Sequence, residues 1–300
     1  MPTLYDTLLR NYDAYVNTYR DTNGQLPEMM QLKRIHTAFV VRNAELIADG
    51  ESFDPVAREV SRIAALLHDT GRYEQLKRYN TFKDSESVDH AVFSHDIVRD
   101  QGWLDKLELE SRVGDGGGRE LESRVGVGGW RDAVLNAVLY HNRRDLPEEI
   151  RTPFSTPTSN SHSNSNSHSN SELQLLTSLA AHTVRDADKL DIFRVLEERL
   201  KNPAWRKDTR AFWNLQIEAP PNPEVVCAIE ARKPVDYNAI KSLADFVLIQ
   251  VGWMISGLSF ATSRRLCRER GHLAFRRDFL HTLTDDPSID YLCDLADETL

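Results

Sequence analysis

Six side chains spread along this sequence have the right types to gather into one metal-binding centre: His36, His68, Asp69, His90, His141 and either Asp186 or Asp188. Imidazole and carboxylate are ligands for borderline divalent transition metals, and a carboxylate can bridge two cations. His68 and Asp69 are adjacent and close an apolar run, AALLHDTGRYE, so both can address one point in space. An HD dipeptide alone arises often by chance, and its setting is what carries weight. His36 lies in KRIHTAFVVRNAELIA, His90 in SVDHAVFSHDIV, His141 in VLYHNRRDLP, and both aspartates in RDADKLDIFRVL. Each falls at the end or on one face of a helical pattern, and helix bundles build metal sites from such inward-facing side chains. Plainer roles exist for each: a hydrogen-bonded core histidine for His36, a cation at a helix C-terminus for His141, an N-cap for Asp186 or Asp188. His95 is five residues beyond His90 and off its face, so it reads as surface or supporting. His182, His272 and His281 have no evident partner in sequence and read as structural.

The elements that must position these residues are helical. Alternating apolar and polar runs and hairpin turn signals are lacking. The spacing of Leu32, Ile35, Phe39 and Leu46 predicts a helix over 28–49 with Gly50 as its stop. Asp54 as N-cap and Pro55 at the first position open the next, whose stripe is Val56, Val60, Ile63 and Leu67. Further helices are predicted over 87–101, 130–142, 172–185, 188–200 and 237–270. The 130–142 helix is apolar on nearly all sides and suits a central buried position.

Two stretches interrupt the pattern. ELESRVG occurs at 108–114 and again at 120–126, which reads as a small tandem duplication in a surface loop. Residues 155–171, STPTSNSHSNSNSHSNS, lack the apolar side chains that offset the entropy of ordering. His162 and His168 in that tract read as incidental. The net charge of −9 disfavours binding to a phosphate backbone, so no nucleic-acid partner is expected. Cys227, Cys267 and Cys293 form no CxxC pair or disulfide framework, which together with a first segment lacking a signal layout suggests a cytoplasmic setting. The stretch 246–263 is uncharged but dotted with Gln, Ser, Thr and Gly, so it is expected to be a buried helix and not a membrane span.

The order H…HD…H…H…D resembles the HD-domain superfamily of metal-dependent phosphohydrolases. HDTGR is similar to its HDxGK/R box, DHAVFSH to its DHxxxxA helix, YHNRRDLP to the H-x(n)-P stretch of small bacterial HD proteins, and DADKLD to its closing AD-x-L motif. The resemblance spans about residues 36–193. It implies an all-α helical bundle with a metal site at its centre. The expected organisation is one domain, 1–300, with core motifs at 28–200, insertions at 106–129 and 151–171, and a helical extension from 201. It implies His36, His68, Asp69 and Asp188 as one metal site, with Asp186 supporting. Asp69 would bridge to a second ion held by His90 and His141. The ligand types suit Mn, Fe, Co, Ni or Zn without choosing among them. Arg72 and Lys189 are the cations expected at the phosphate of a small, nucleotide-like substrate, with Asp69 at the reacting centre. The same superfamily includes mixed-valent di-iron oxygenases and non-catalytic regulatory modules, which are the competing readings.

Overall fold

The computed structural model describes residues 3–105, 128–151, 165–204 and 215–300, with the backbone alone for 165–170. The elements are helices, and the one strand-like contact among the described residues is an isolated bridge between Gln216 and Ser242. The all-α expectation holds. The duplicated ELESRVG stretch and residues 152–164 lie outside the described residues. The chain divides into two compact units, Met1–Asp188 and Lys189–Leu300. Sequence alone suggests one domain with an extension from residue 201; the division falls earlier, directly after Asp188.

In the first unit, a capping box between Thr3 and Asp6 starts α1 (Leu4–Asn17). Helix α2 (Glu28–Gly50) buries Val40, Val41, Ala44 and Ile47 on the side that carries His36. Helix α3 (Pro55–Leu67) begins where Asp54 accepts hydrogen bonds from the backbone of Val56 and Ala57, as its sequence predicts. It packs against α1, α2 and α6 (Gly129–Tyr140). Val60, Ile63, Ala64 and Leu67 are fully buried there. Each large apolar side chain so buried contributes roughly 1.5–3 kcal/mol, so the end of α3, where His68 and Asp69 follow, is firmly anchored. A short turn leads to α4 (Gly71–Tyr79), which ends on Asn80 in the left-handed conformation. Helix α5 (His90–Asp100) starts on the Asp89 cap.

Helix α7 (Ser165–Lys201) is one continuous helix where the sequence pattern suggests two. Asp186 and Asp188 are therefore mid-helix residues and not N-caps. No Gly or Pro falls near 185–188, and Val184, Ala187 and Leu190 continue one buried face through it. The helix also begins inside the Ser/Asn tract, because extending a helix adds a hydrogen bond per residue and starting one does not. Asn43 of α2 donates to the Ala187 carbonyl of α7 at 3.1 Å, which holds the Asp188 turn beside α2.

The second unit contains α8 (Pro223–Glu230), α9 (Leu243–Ser256), α10 (Ala261–Glu269), α11 (His272–His281) and α12 (Ser288–Thr299). The single helix expected over 237–270 is thus broken. A capping box of Ser242 and Asp245 starts α9, and the chain leaves it at Gly257. The uncharged stretch 246–263 is split between α9 and α10. No helix among the described residues is long and apolar enough to cross a membrane. The interior holds a polar cluster: fully buried Arg276 donates to Glu197 at 2.8 Å, to Gln250 at 2.7 Å and to the carbonyls of Phe193 and His272. His272 Nδ1 lies 2.5 Å from the same Glu197 oxygen.

Candidate metal centre

The structure brings His36, His68, Asp69, His90, His141 and Asp188 together in the first unit. They arrive by different local devices. His36 projects from the middle of α2, His68 and His141 follow the last turns of α3 and α6, His90 opens α5, and Asp188 projects from α7. Asp69 sits among them, 3 % exposed, with its two oxygens facing opposite ways. Oδ2 lies 3.7 Å from His36 Nε2 and 3.6 Å from His68 Nε2. Oδ1 lies 3.7 Å from His90 Nε2 and 3.9 Å from His141 Nε2. Asp188 Oδ1 extends the first group, 3.0 Å from His36 Nε2 and 3.9 Å from His68 Nε2. His36, His68 and Asp69 form one potential cation-binding cluster; Asp69, His90 and His141 form another.

The protonation states suit cation binding. Burial alone would push the Asp69 carboxyl up, but Lys33, His68, Arg72 and His90 around it outweigh burial and hold it well below the ordinary carboxylate range. Burial likewise opposes ionisation of Asp188, and the His36 hydrogen bond and charge keep it low. Burial pushes His68 down, and His141 further down. These imidazoles are neutral at pH 7, with a lone pair to give. Its direction is fixed: His68 Nδ1 donates to the Ala65 carbonyl at 2.8 Å and His141 Nδ1 to the Val138 carbonyl at 2.7 Å. Each Nε2 is therefore the bare nitrogen, and each faces Asp69.

The model of one protein family, the HD domain, matches residues 34–192, just over half of the chain. The chain belongs to the HD-domain family. Membership puts it among metal-dependent hydrolases. No curated protein and no solved structure matches the chain.

The donor set of this HD domain fits a divalent transition metal. His68 Nε2 is fully buried and has no hydrogen-bond partner among the described residues, a condition that costs about 1–3 kcal/mol if nothing fills it. His90 Nε2 and His141 Nε2 lie only 3.0 Å apart. That spacing fits an N–H···N bond to the bare His141 Nε2 or, with both nitrogens bare, a cation held between them. Two nitrogens each about 2.1 Å from one ion and at right angles to one another stand about 3.0 Å apart, so this spacing suits a shared metal.

Among the described side chains, the remaining histidines of the HD chain are otherwise engaged. His95 pairs with Asp96, His182 bonds the carbonyls of Ile150 and Arg151, His272 pairs with Glu197, and His281 faces Asp290. Asp186 is fully buried. Lys189 is half-buried, one residue past Asp188 and so turned away from its face of α7. Arg72 Nη1 is committed to Gln75, the Phe82 carbonyl and Asp84. Three neighbours of the centre escape the motif pattern. Lys33 Nζ reaches Asp69 Oδ2 at 2.7 Å. Asp84 Oδ2 lies 2.6 Å from His90 Nδ1. Asn142 bonds Asp89, the cap of α5. Lys33 had a readable signal, standing one turn before His36 on the same face; Asp84 lies in a loop and had none.

Proposed function

We propose that this HD domain is a metal-dependent phosphohydrolase acting on a small phosphoester, nucleotide-like in class. The observation that carries the reading is the arrangement around Asp69: buried, ionised, with one oxygen facing each of two imidazole groups. In this reading His36, His68, Asp69 and Asp188 hold one ion, and Asp69, His90 and His141 hold a second. A divalent metal bound there lowers the pKa of water toward neutrality and draws charge from the phosphoryl oxygens. Asp69 would serve both ions, and the backbone carbonyls behind His68 and His141 stop their rings from turning. Lys33, whose side chain is 19 % exposed beside Asp69, supplies a positive charge for a phosphate oxygen. Arg72 holds the segment after α4 through Nη1, while its Nε faces Asp69 Oδ1 at 3.4 Å and keeps its charge beside the centre. The net charge of −9 supports a small substrate over a polyanion.

Phosphate release from p-nitrophenyl phosphate and a nucleotide panel in the presence of Mn tests the activity. His141→Ala is expected to lower bound metal toward half and hydrolysis by about 10²-fold or more. No release from any member of the panel with any of Mn, Fe, Co, Ni or Zn would refute the hydrolase reading. Unchanged metal content and rate in the His141 variant would leave a single-ion site built from His36, His68, Asp69 and Asp188.

A further inference from the structure

His68 and His141 share a device that His90 cannot use. Each of the first two follows the last turn of its helix and donates Nδ1–H to the carbonyl three residues back in that helix, Ala65 or Val138. His90 is the first residue of α5, so no helical carbonyl lies three residues behind it. Its acceptor is a side chain instead: Asp84 Oδ2, at 2.6 Å from Nδ1.

We propose that Asp84 is a positioning residue that holds His90 in the Nδ1–H form with Nε2 bare toward Asp69 and His141, and that Arg72 and Gln75 act through Asp84. This rests on the two-ion reading above for its purpose, though not for its geometry. Asp84 lies on the segment between α4 and α5, whose regular structure is a single 3-10 turn, Asp84–Glu86. Two side chains of α4 clasp that segment. Arg72 Nη1 donates to the Phe82 carbonyl at 2.7 Å and to Asp84 Oδ1 at 3.1 Å. Gln75, fully buried, donates through Nε2 to Asp84 Oδ1 at 3.0 Å, Ser87 Oγ at 2.9 Å and the Val88 carbonyl at 3.1 Å. Its Oε1 accepts from Arg72 Nη1 at 2.8 Å, so the amide cannot turn over without losing these bonds. With Oδ1 occupied by two donors, Oδ2 is left for the His90 ring. The Arg72 guanidinium and the Gln75 amide both present N–H groups to Oδ1, an arrangement that suits an accepting carboxylate. An ionised carboxylate only accepts, which puts the proton on Nδ1 and the lone pair on Nε2.

Asp84, Asp89 and His90 also lie close enough to be read as a cation site of their own. Their oxygens argue otherwise. Asp89 Oδ1 accepts from the backbone of Ala91 and Val92 and from Asn142, and its Oδ2 meets Arg143 at 2.9 Å. Carboxylates already filled with donors have little left for an ion.

Long-range 1H–15N spectra of the imidazoles in the metal-free full-length chain test the proposal directly. Wild type should show His90 protonated on Nδ1. Asp84→Ala should shift His90 toward the other or a mixed form, while His68 and His141, held by carbonyls, stay unchanged and report that the fold is intact. Asp84→Asn keeps the side-chain shape and should show a smaller change of the same kind should the alanine variant fold poorly. In zinc titrations the weaker-bound ion should lose about 10–100-fold in affinity in Asp84→Ala. An unchanged His90 tautomer in a folded variant would overturn the proposal, as would loss of one whole ion with the tautomer unchanged, which would make Asp84 a ligand. If wild type binds no zinc but the tautomer follows Asp84, the two-ion reading fails and the positioning role stands.

Discussion

Gly71→Ala should damage stability and one half of the centre together. Gly71 begins α4 and is pressed against α5. A Cβ there would lie 2.7 Å from Ser94 N, 3.0 Å from the His90 carbonyl oxygen and 3.0 Å from Phe93 C. All three are backbone atoms, so no side chain can swing aside. Comfortable carbon contacts begin at about 3.5 Å, so α5 must retreat by roughly half an ångström or more. Overpacking of this kind costs about 1–3 kcal/mol. The same movement stretches the 2.9 Å bond from Gly71 N to Ser94 Oγ, worth about 1 kcal/mol. His90 leads α5 and moves with it, which changes its spacing from His141 Nε2, now 3.0 Å, and Asp69 Oδ1, now 3.7 Å. His36, His68 and Asp188 stand on other elements and keep their places. Urea unfolding should therefore show a loss of about 2–4 kcal/mol, read as a lower midpoint at unchanged slope. Zinc titration should show one ion weakened and the other retained. A variant with the wild-type midpoint and two unweakened ions would refute both the packing argument and the assignment of His90 to its own half of the centre.

Two further predictions concern the second unit. Arg276→Met removes the donor that Glu197 and Gln250 share and leaves a buried carboxylate poorly paired, so it should cost about 3–5 kcal/mol in chemical denaturation; adding Glu197→Gln to it should recover part of the loss, and a larger loss in the double variant would contradict the account. The same cluster should make this unit acid-sensitive. Burial holds His272 below 6.5, so the unfolded chain binds a proton first and stability falls as pH drops through 6.5. Burial opposes charge on Glu197, but its bonds to His272 and Arg276 bring it below 4.5, so a second loss begins as pH drops through 4.5. Protection factors in α9 and α11, taken relative to the intrinsic exchange rate at each pH, should fall from pH 7 to pH 5 and again toward pH 4; protection factors that rise on acidification would contradict the sign.

Much of this was legible in the sequence, and the reasons differ from element to element. The start of α3 was readable because Asp54-Pro55 is a local signal that needs no tertiary partner. The break before α9 was equally local, since Ser242 and Asp245 spell a capping box, but the uniformly apolar run beside it gives no periodicity to locate an end. The continuity of α7 was hidden because two aspartates that look like N-caps are held mid-helix by the packing of Ala187 and Leu190. Asp84 was hidden for a different reason. A residue that binds a cation must be of one of a few types, so its position shows in the sequence. A residue that orients an imidazole need only offer an oxygen. His68 and His141 take that oxygen from the backbone, which any sequence supplies, and His90 takes it from a loop carboxylate six residues upstream. The same physical requirement is met three times, and only once does it leave a side chain behind. The orienting half of such a centre is therefore visible only after folding, and it is there that variants such as Asp84→Ala separate a bundle that merely gathers histidines from one that aims them.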